Sequence, residues 1–169
     1  KSLFGNPSSI HTFGQSARAQ IEISRKKISS VMGCSSGEIV FTSGGSESNN
    51  HLLRSILSAG DHVITSSYEH PSVLETLEAI KGIEISYASP DINGIVQPDS
   101  IDGYIRSNTK LISIMWANNE MGTINNMQSI SDIAVSNNIL LHSDAVQAFG
   151  KIPINLEQTS IDFISVTAH

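Results

Sequence analysis

Residues 139–147, Ile-Leu-Leu-His-Ser-Asp-Ala-Val-Gln, carry the pattern that decides the fold. Three apolar residues, Ile139 to Leu141, give way at once to polar ones. A run so short and so apolar reads as a strand covered on both faces, the mark of a parallel sheet flanked by helices. Asp144 then stands just past the strand, where sheets of this kind collect ligands at the carboxyl ends of their strands.

The same alternation recurs in both directions from this stretch. Toward the C-terminus a strand is expected at Phe163–Val166, followed by Thr167-Ala168-His169. Toward the N-terminus, strands are expected at Leu111–Trp116, Ile83–Tyr87 and His62–Thr65, and at Glu38–Thr42 around Ile39-Val40-Phe41. Helical spacing predicts helices over residues 12–32, from Ser46 to near Gly60, from Pro71 to about Lys81, from Pro98, and from Ser129 to Asn137. The first carries Ala17, Ile21, Ile28 and Met32 on one side and ends at Gly33. The chain has no internal repeat and no linker rich in Pro, Gly or Ser. The fold class is therefore α/β, with three layers: a mostly parallel sheet with helices on both faces.

Composition narrows the function. The 169 residues are 39% hydrophobic, ordinary for a soluble globular domain. Ten basic and 16 acidic residues give a net charge of −6 without charge runs, which argues against a nucleic-acid or anionic-membrane surface. No apolar stretch approaches the roughly 20 residues of a membrane span, and no charged-then-apolar leader is present. A soluble, cytoplasmic location is expected. The single cysteine, Cys34, excludes an internal disulfide framework and fits a reducing compartment. It reads as a turn-filling residue, because nothing nearby supplies the cationic environment of a reactive thiol.

The polar residues that could carry chemistry sit in five loops at expected strand ends. Ser43-Gly44-Gly45-Ser46-Glu47-Ser48 lies between a strand and a helix. It is either a phosphate cradle, in which glycine lets the backbone approach an anion at a helix N-terminus, or a tight turn with Ser46 as the helix N-cap. It lacks the endings and spacings of nucleotide-binding loops. Glu69-His70-Pro71 places His70 at a rigid corner ahead of a helix, as a capping residue or as a proton carrier titrating near neutrality. Asn118-Asn119 offers either an Asx turn or two amides for a ligand oxygen. Asp144 and Gln147 lie three apart and either face a ligand together or cap a helix. His11, His51, His62 and His142 lack metal-ligand spacing and read as structural.

Together with Gly5-Asn6-Pro7-Ser8-Ser9-x-His11, Phe41-Thr42-Ser43-Gly44, Glu69-His70-Pro71-Ser72-Val73-Leu74, Met115-Trp116-Ala117-Asn118-Asn119-Glu120, Asp144-Ala145-Val146-Gln147-Ala148 and Gly150-Lys151-Ile152-Pro153, these loops resemble the cysteine desulfurases. These are a branch of the class V aminotransferase-like enzymes, and the wording is that of the nitrogen-fixation and housekeeping iron–sulfur type. The resemblance spans nearly the whole chain. It implies the cofactor pyridoxal 5'-phosphate and the large domain of the type I fold. Residues 1–169 would form part of that domain, without its N-terminal strand, its remainder or the small C-terminal domain.

The resemblance also implies roles. Gly45, Ser46, Thr167 and His169 would hold the cofactor phosphate, Asp144 the pyridine nitrogen, Gln147 the ring oxygen and Asn119 the cofactor or substrate. His70 would stack on the ring and move a proton as the catalytic residue. Thr167 stands where a serine is usual and keeps the hydroxyl; Met121 replaces an expected isoleucine or threonine. The Schiff-base lysine would follow directly after His169, and the nucleophilic cysteine later still, so these residues alone are expected to be inactive. The full-length form would take sulfur from L-cysteine as an enzyme persulfide, release L-alanine, pass the sulfur to an iron–sulfur scaffold or other acceptor protein, and act as a homodimer. The alternatives are a selenocysteine lyase or aminotransferase on the same fold, and a non-catalytic cofactor-binding or interaction module.

Overall fold

In the computed structural model, residues 4–168 are described. They fall into two compact units. One comprises the segment up to Phe41 with Ile154–Glu157; the other comprises Thr42–Pro153 with the segment from Gln158.

The first unit is built on α1 (Thr12–Met32). His11 caps its start, Nδ1 accepting the Gly14 N–H at 3.2 Å. Gly33 ends it in the left-handed conformation (φ 70°), where the missing Cβ also makes room for Asn155 Oδ1. Of the four residues on the predicted apolar side, Met32 is buried, whereas Ile21 is exposed. The expected strand at Glu38–Thr42 does not form. Ser36–Glu38 is instead a 3₁₀ turn closed by a capping box, in which the Glu38 carboxylate accepts the Ser35 N–H at 2.6 Å. Ile39 is extended beyond it, but Val40 and Phe41 are exposed and no described residue pairs with them in a ladder. Three apolar residues make an extended segment; a strand also needs a neighbour to take its backbone hydrogen bonds.

The second unit holds the sheet. Its elements run α2 (Gly45–Ile56), β1 (His62–Ser66), α3 (Pro71–Ala79), β2 (Glu84–Ala88), α4 (Pro98–Asp102), β3 (Thr109–Ser113), α5 (Met127–Ser136), β4 (Leu140–Asp144) and β5 (Phe163–Ser165). The five strands lie in the order β2-β1-β3-β4-β5, and every pairing among them is parallel. All five residues of β1 are buried. Val63 and Leu111 pack with Leu53 and Leu57 of α2 and its flank and with Val73 and Leu77 of α3, while the alternate residues Ile64 and Ile112 are equally buried. Burial of both alternating sets means that both sheet faces are covered, as parallel strands require.

Boundaries shift by a few residues from those expected. Helix α2 begins at Gly45, with Gly44 rather than Ser46 at the N-cap, and stops at Ile56 rather than near Gly60. Strand β4 continues through Asp144, so this aspartate is the last residue of the strand rather than the first beyond it. Past Ser113 the chain stays beside β4: the Ile114 N–H donates to His142 O at 3.2 Å and the Trp116 N–H to Asp144 O at 2.9 Å. His142, fully buried in β4, contacts Ser113 Oγ of β3 through Nδ1 (2.8 Å) and Ser165 Oγ of β5 through Nε2 (3.3 Å). Burial pushes its pKa down to about 3, so the neutral ring ties three strands together.

Candidate active site

Strand order places a switch point between β1 and β3: the chain leaves β1 for β2 on one side and returns to β3 on the other. Crevices at such points, outside the carboxyl ends of the strands, are where open parallel sheets bind ligands. A cleft of about 210 Å³ opens there. Gly45 and Ser46 from the start of α2, His70 from the corner after β1, Asn119 from the loop after β3, Asp144 and Gln147 around the end of β4, and Thr167 after β5 all line it. The described residues to which the resemblance gives cofactor roles therefore line one cleft; His169 lies outside the described residues.

Asp144 forms the floor and is buried. Its Oδ1 accepts the Val146 N–H at 3.0 Å and its Oδ2 the Asn49 Nδ2–H at 2.8 Å. At one end of the cleft the first turn of α2 presents amides that have no partner inside the helix. A Cβ on Gly45 would lie 2.9 Å from Val146 Cγ2 and 3.1 Å from Thr167 Cγ2, so any larger residue would push these side chains back from the close approach that glycine permits. Thr167 Oγ1 is buried and makes no hydrogen bond. A hydroxyl left unpaired in such a place is costly unless a ligand takes it.

The two asparagines divide the two readings of their segment. Asn118 is buried and makes the Asx turn, Oδ1 accepting the Glu120 N–H at 2.9 Å and the Met121 N–H at 2.8 Å. Asn119 is left to face the cleft. Gln147 does not cap a helix, since only turns follow β4. Its Oε1 accepts from Lys151 Nζ at 2.5 Å, which leaves the Nε2 donors for a ligand oxygen. His70 caps α3, Nδ1 accepting the Ser72 N–H at 3.1 Å, and it also lines the cleft, so its two readings hold together.

Three residues were given no role by the sequence, although Glu69 and Ser72 stand in the motif around His70. Asn49 is fully buried and holds Asp144; Gly45, Asn49 and Leu53, the buried residues of α2, recur every fourth position, a periodic signal that would have found it. Ser72 joins Asn49 to His70, with Oγ 2.9 Å from Asn49 Nδ2 and 2.8 Å from His70 Nδ1. Glu69 is buried and bonded to the cleft-lining Met115: one oxygen accepts from Ser66 Oγ and from the Met115 N–H (2.8 Å) and the other has no partner. Burial, assisted by the nearby Asp144 charge, pushes its carboxyl up to about 8 against hydrogen bonds that pull the other way, so it is protonated at neutral pH.

Cys34 is half-buried, and burial, with the Glu38 charge, pushes its thiol up, away from a reactive thiolate. No group of His, Cys, Asp and Glu able to hold a metal occurs among the described residues, and no described helix is long and apolar enough to cross a membrane.

The chain that brings together a glycine-closed cleft, a buried carboxyl group and a histidine at its rim has a family match. The sequence model of the aminotransferase class-V family covers residues 1–169. The chain belongs to that family. Class-V aminotransferases and cysteine desulfurases depend in general on pyridoxal phosphate. The chain is 47% identical over 175 residues to cysteine desulfurase IscS of Dictyoglomus turgidum, spanning 100% of this chain and 44% of that protein. It is 45% identical over 172 residues to cysteine desulfurase IscS of Methanosarcina thermophila, spanning 98% and 43%. The chain thus spans less than half the length of these curated relatives.

Among solved structures, this class-V chain superposes with a TM-score of 0.94 on SspA in complex with cysteine, at 35% identity over 99% of this chain and 50% of that one. It reaches the same TM-score with a NifS-like protein, at 37% identity over 100% and 49%. The expected three-layer α/β fold is the fold of these neighbours.

Proposed function

We propose that the chain is the cofactor-binding part of a cysteine desulfurase, whose full-length form takes sulfur from L-cysteine, forms L-alanine and supplies the sulfur to iron–sulfur cluster assembly or another transfer pathway. The observation that carries this reading is the meeting of Gly45, Thr167 and Asp144 in one cleft at the switch point. The residues fit pyridoxal phosphate: a pocket closed by a glycine, a buried hydroxyl without a partner and a buried carboxyl group lining the same cleft suit a phosphate and a protonated ring nitrogen. Gly45, Ser46 and Thr167 would hold the phosphate, with His169 after them. Asp144 would hold the ring nitrogen, and Gln147 and Asn119 would bond oxygens of the cofactor or substrate. When bound, the cofactor supplies the electron sink that breaking bonds at an amino acid's carbon skeleton requires.

The chain's own residues then do three things. Asp144 stays oriented because both of its oxygens already accept hydrogen bonds, from Val146 and Asn49. His70 stands at the rim, placed by Pro71 and its cap on α3 to carry a proton through Nε2. Buried walls at Met115 and Ala117 limit water around the reacting atoms. A homodimer, a cytoplasmic location and a scaffold or other sulfur-acceptor protein as partner complete the proposal.

The test is sulfide and alanine formation from L-cysteine by the full-length protein with pyridoxal phosphate and a thiol reductant. Equal amounts of both, reduced by about 10² or more in folded H70Q and D144N variants, are expected. Cofactor binding without sulfide from L-cysteine would assign this site a different reaction, such as transamination or cleavage of selenocysteine.

A further inference from the structure

We propose that Ser72 and Asn49 are positioning residues that link the His70 imidazole to the Asp144 carboxyl group and fix the neutral ring with its proton on Nε2. The inference rests on the proposed function for its consequence in catalysis, but not for its geometry.

The link is continuous. Asp144 Oδ2 lies 2.8 Å from Asn49 Nδ2, which lies 2.9 Å from Ser72 Oγ, which lies 2.8 Å from His70 Nδ1. Its polarity follows from what each group can do. An amide nitrogen only donates, so Asn49 gives one hydrogen to Asp144 and the other to Ser72. Ser72 Oγ accepts there and has a single hydrogen left, which faces His70 Nδ1. The Ser72 backbone N–H also points at Nδ1, at 3.1 Å. Two donors converge on that nitrogen, so a proton placed on it would oppose both, and the neutral ring carries its hydrogen on Nε2. Nε2 makes no hydrogen bond among the described residues and belongs to a side chain that lines the cleft. The link therefore presents a donor there rather than an acceptor.

The burial of the link supports its rigidity. Asn49 is fully buried, fixed by its place on the inward stripe of α2, and Ser72 is half-buried in the first turn of α3. The two helices that carry the link pack against each other, so the Asp144–His70 spacing depends on helix packing rather than on a mobile loop.

The experiment uses the full-length protein labelled with ¹⁵N-histidine, free of cofactor, above neutral pH, with the His70 resonances assigned by their loss in H70Q. The parent is expected to show the Nε2–H pattern alone, S72A a mixture of the two tautomers, and S72T, which keeps the hydroxyl, the parent pattern. In the cofactor-loaded enzyme, S72A is expected to lower kcat about tenfold with KM changed less than about twofold, and S72T to recover it. An Nδ1–H ring in the parent, or an unchanged tautomer in a folded S72A, would overturn the proposal. If S72A shifts the tautomer while the parent makes no sulfide, the link stands and the assigned reaction fails.

Discussion

Replacing Glu69 by glutamine tests whether the buried carboxyl group bonded to Met115 is held protonated by the fold. In the folded chain its pKa is about 8, against 4.5 for an ordinary glutamate. Between these values the folded state holds a proton that the unfolded state releases. The carboxyl's contribution is thus fully present below pH 4.5 and is lost as pH rises through about 8. One pH unit within that window corresponds to about 1.4 kcal/mol, so between pH 6 and pH 8 the parent should lose about 2 kcal/mol through this group alone. Glutamine keeps the acceptor that serves Ser66 and Met115 and places an uncharged nitrogen where the second oxygen has no partner. Between pH 6 and pH 8 the stability of E69Q relative to the parent should therefore rise by about 2 kcal/mol. Urea unfolding of both full-length proteins across this range, followed by far-ultraviolet circular dichroism, measures the difference. A protonated-carboxyl infrared band, present at pH 6 and missing from E69Q, provides an independent check. A constant stability difference from pH 6 to 8 would mean that Glu69 is already ionised in the fold, and the burial argument would fall.

Three further outcomes follow from single contacts. T167V removes a buried hydroxyl that has no partner, so the apoprotein should change by less than about 1 kcal/mol while pyridoxal phosphate affinity falls about tenfold in a direct titration; unchanged affinity would remove Thr167 from the phosphate pocket. L53A empties the centre of the cluster formed with Leu57, Val63, Val73, Leu77 and Leu111, and should cost about 3 kcal/mol in unfolding free energy. His142 is neutral in the fold, with its pKa down at about 3 against 6.5, so stability is lost as pH falls below 6.5; at pH 5 the parent should be weaker by about 2 kcal/mol through this group, a slope that H142Q lacks.

The sheet was legible because each strand of a doubly covered sheet must be apolar, and polarity resumes abruptly where the strand meets a loop. Leu140–Leu141 before Asp144, and Leu111–Ile112 ahead of Asn118, carry that signal. The run at Ile39 carried the same local signal but forms no strand, because pairing belongs to the neighbour and not to the run. The glycine pair, the aspartate, the amides and the histidine at strand ends were legible as candidates, each with a structural reading beside the functional one, and the resemblance of the surrounding motifs decided between the two. Asn49, Ser72 and Glu69 were not, because the partners that give them a role are brought near only by the fold. What reveals them is pairing across the fold: Asn49 to Asp144 over 95 residues, Glu69 to Met115 over 46. A polar residue on a buried stripe of a helix needs a partner, and α2 places Asn49 one turn from Leu53, on its inward side. The partner found there is the carboxyl group at the floor of the cleft, so the packing that stabilises α2 and α3 also sets the spacing of the two side chains on which the proposed chemistry depends.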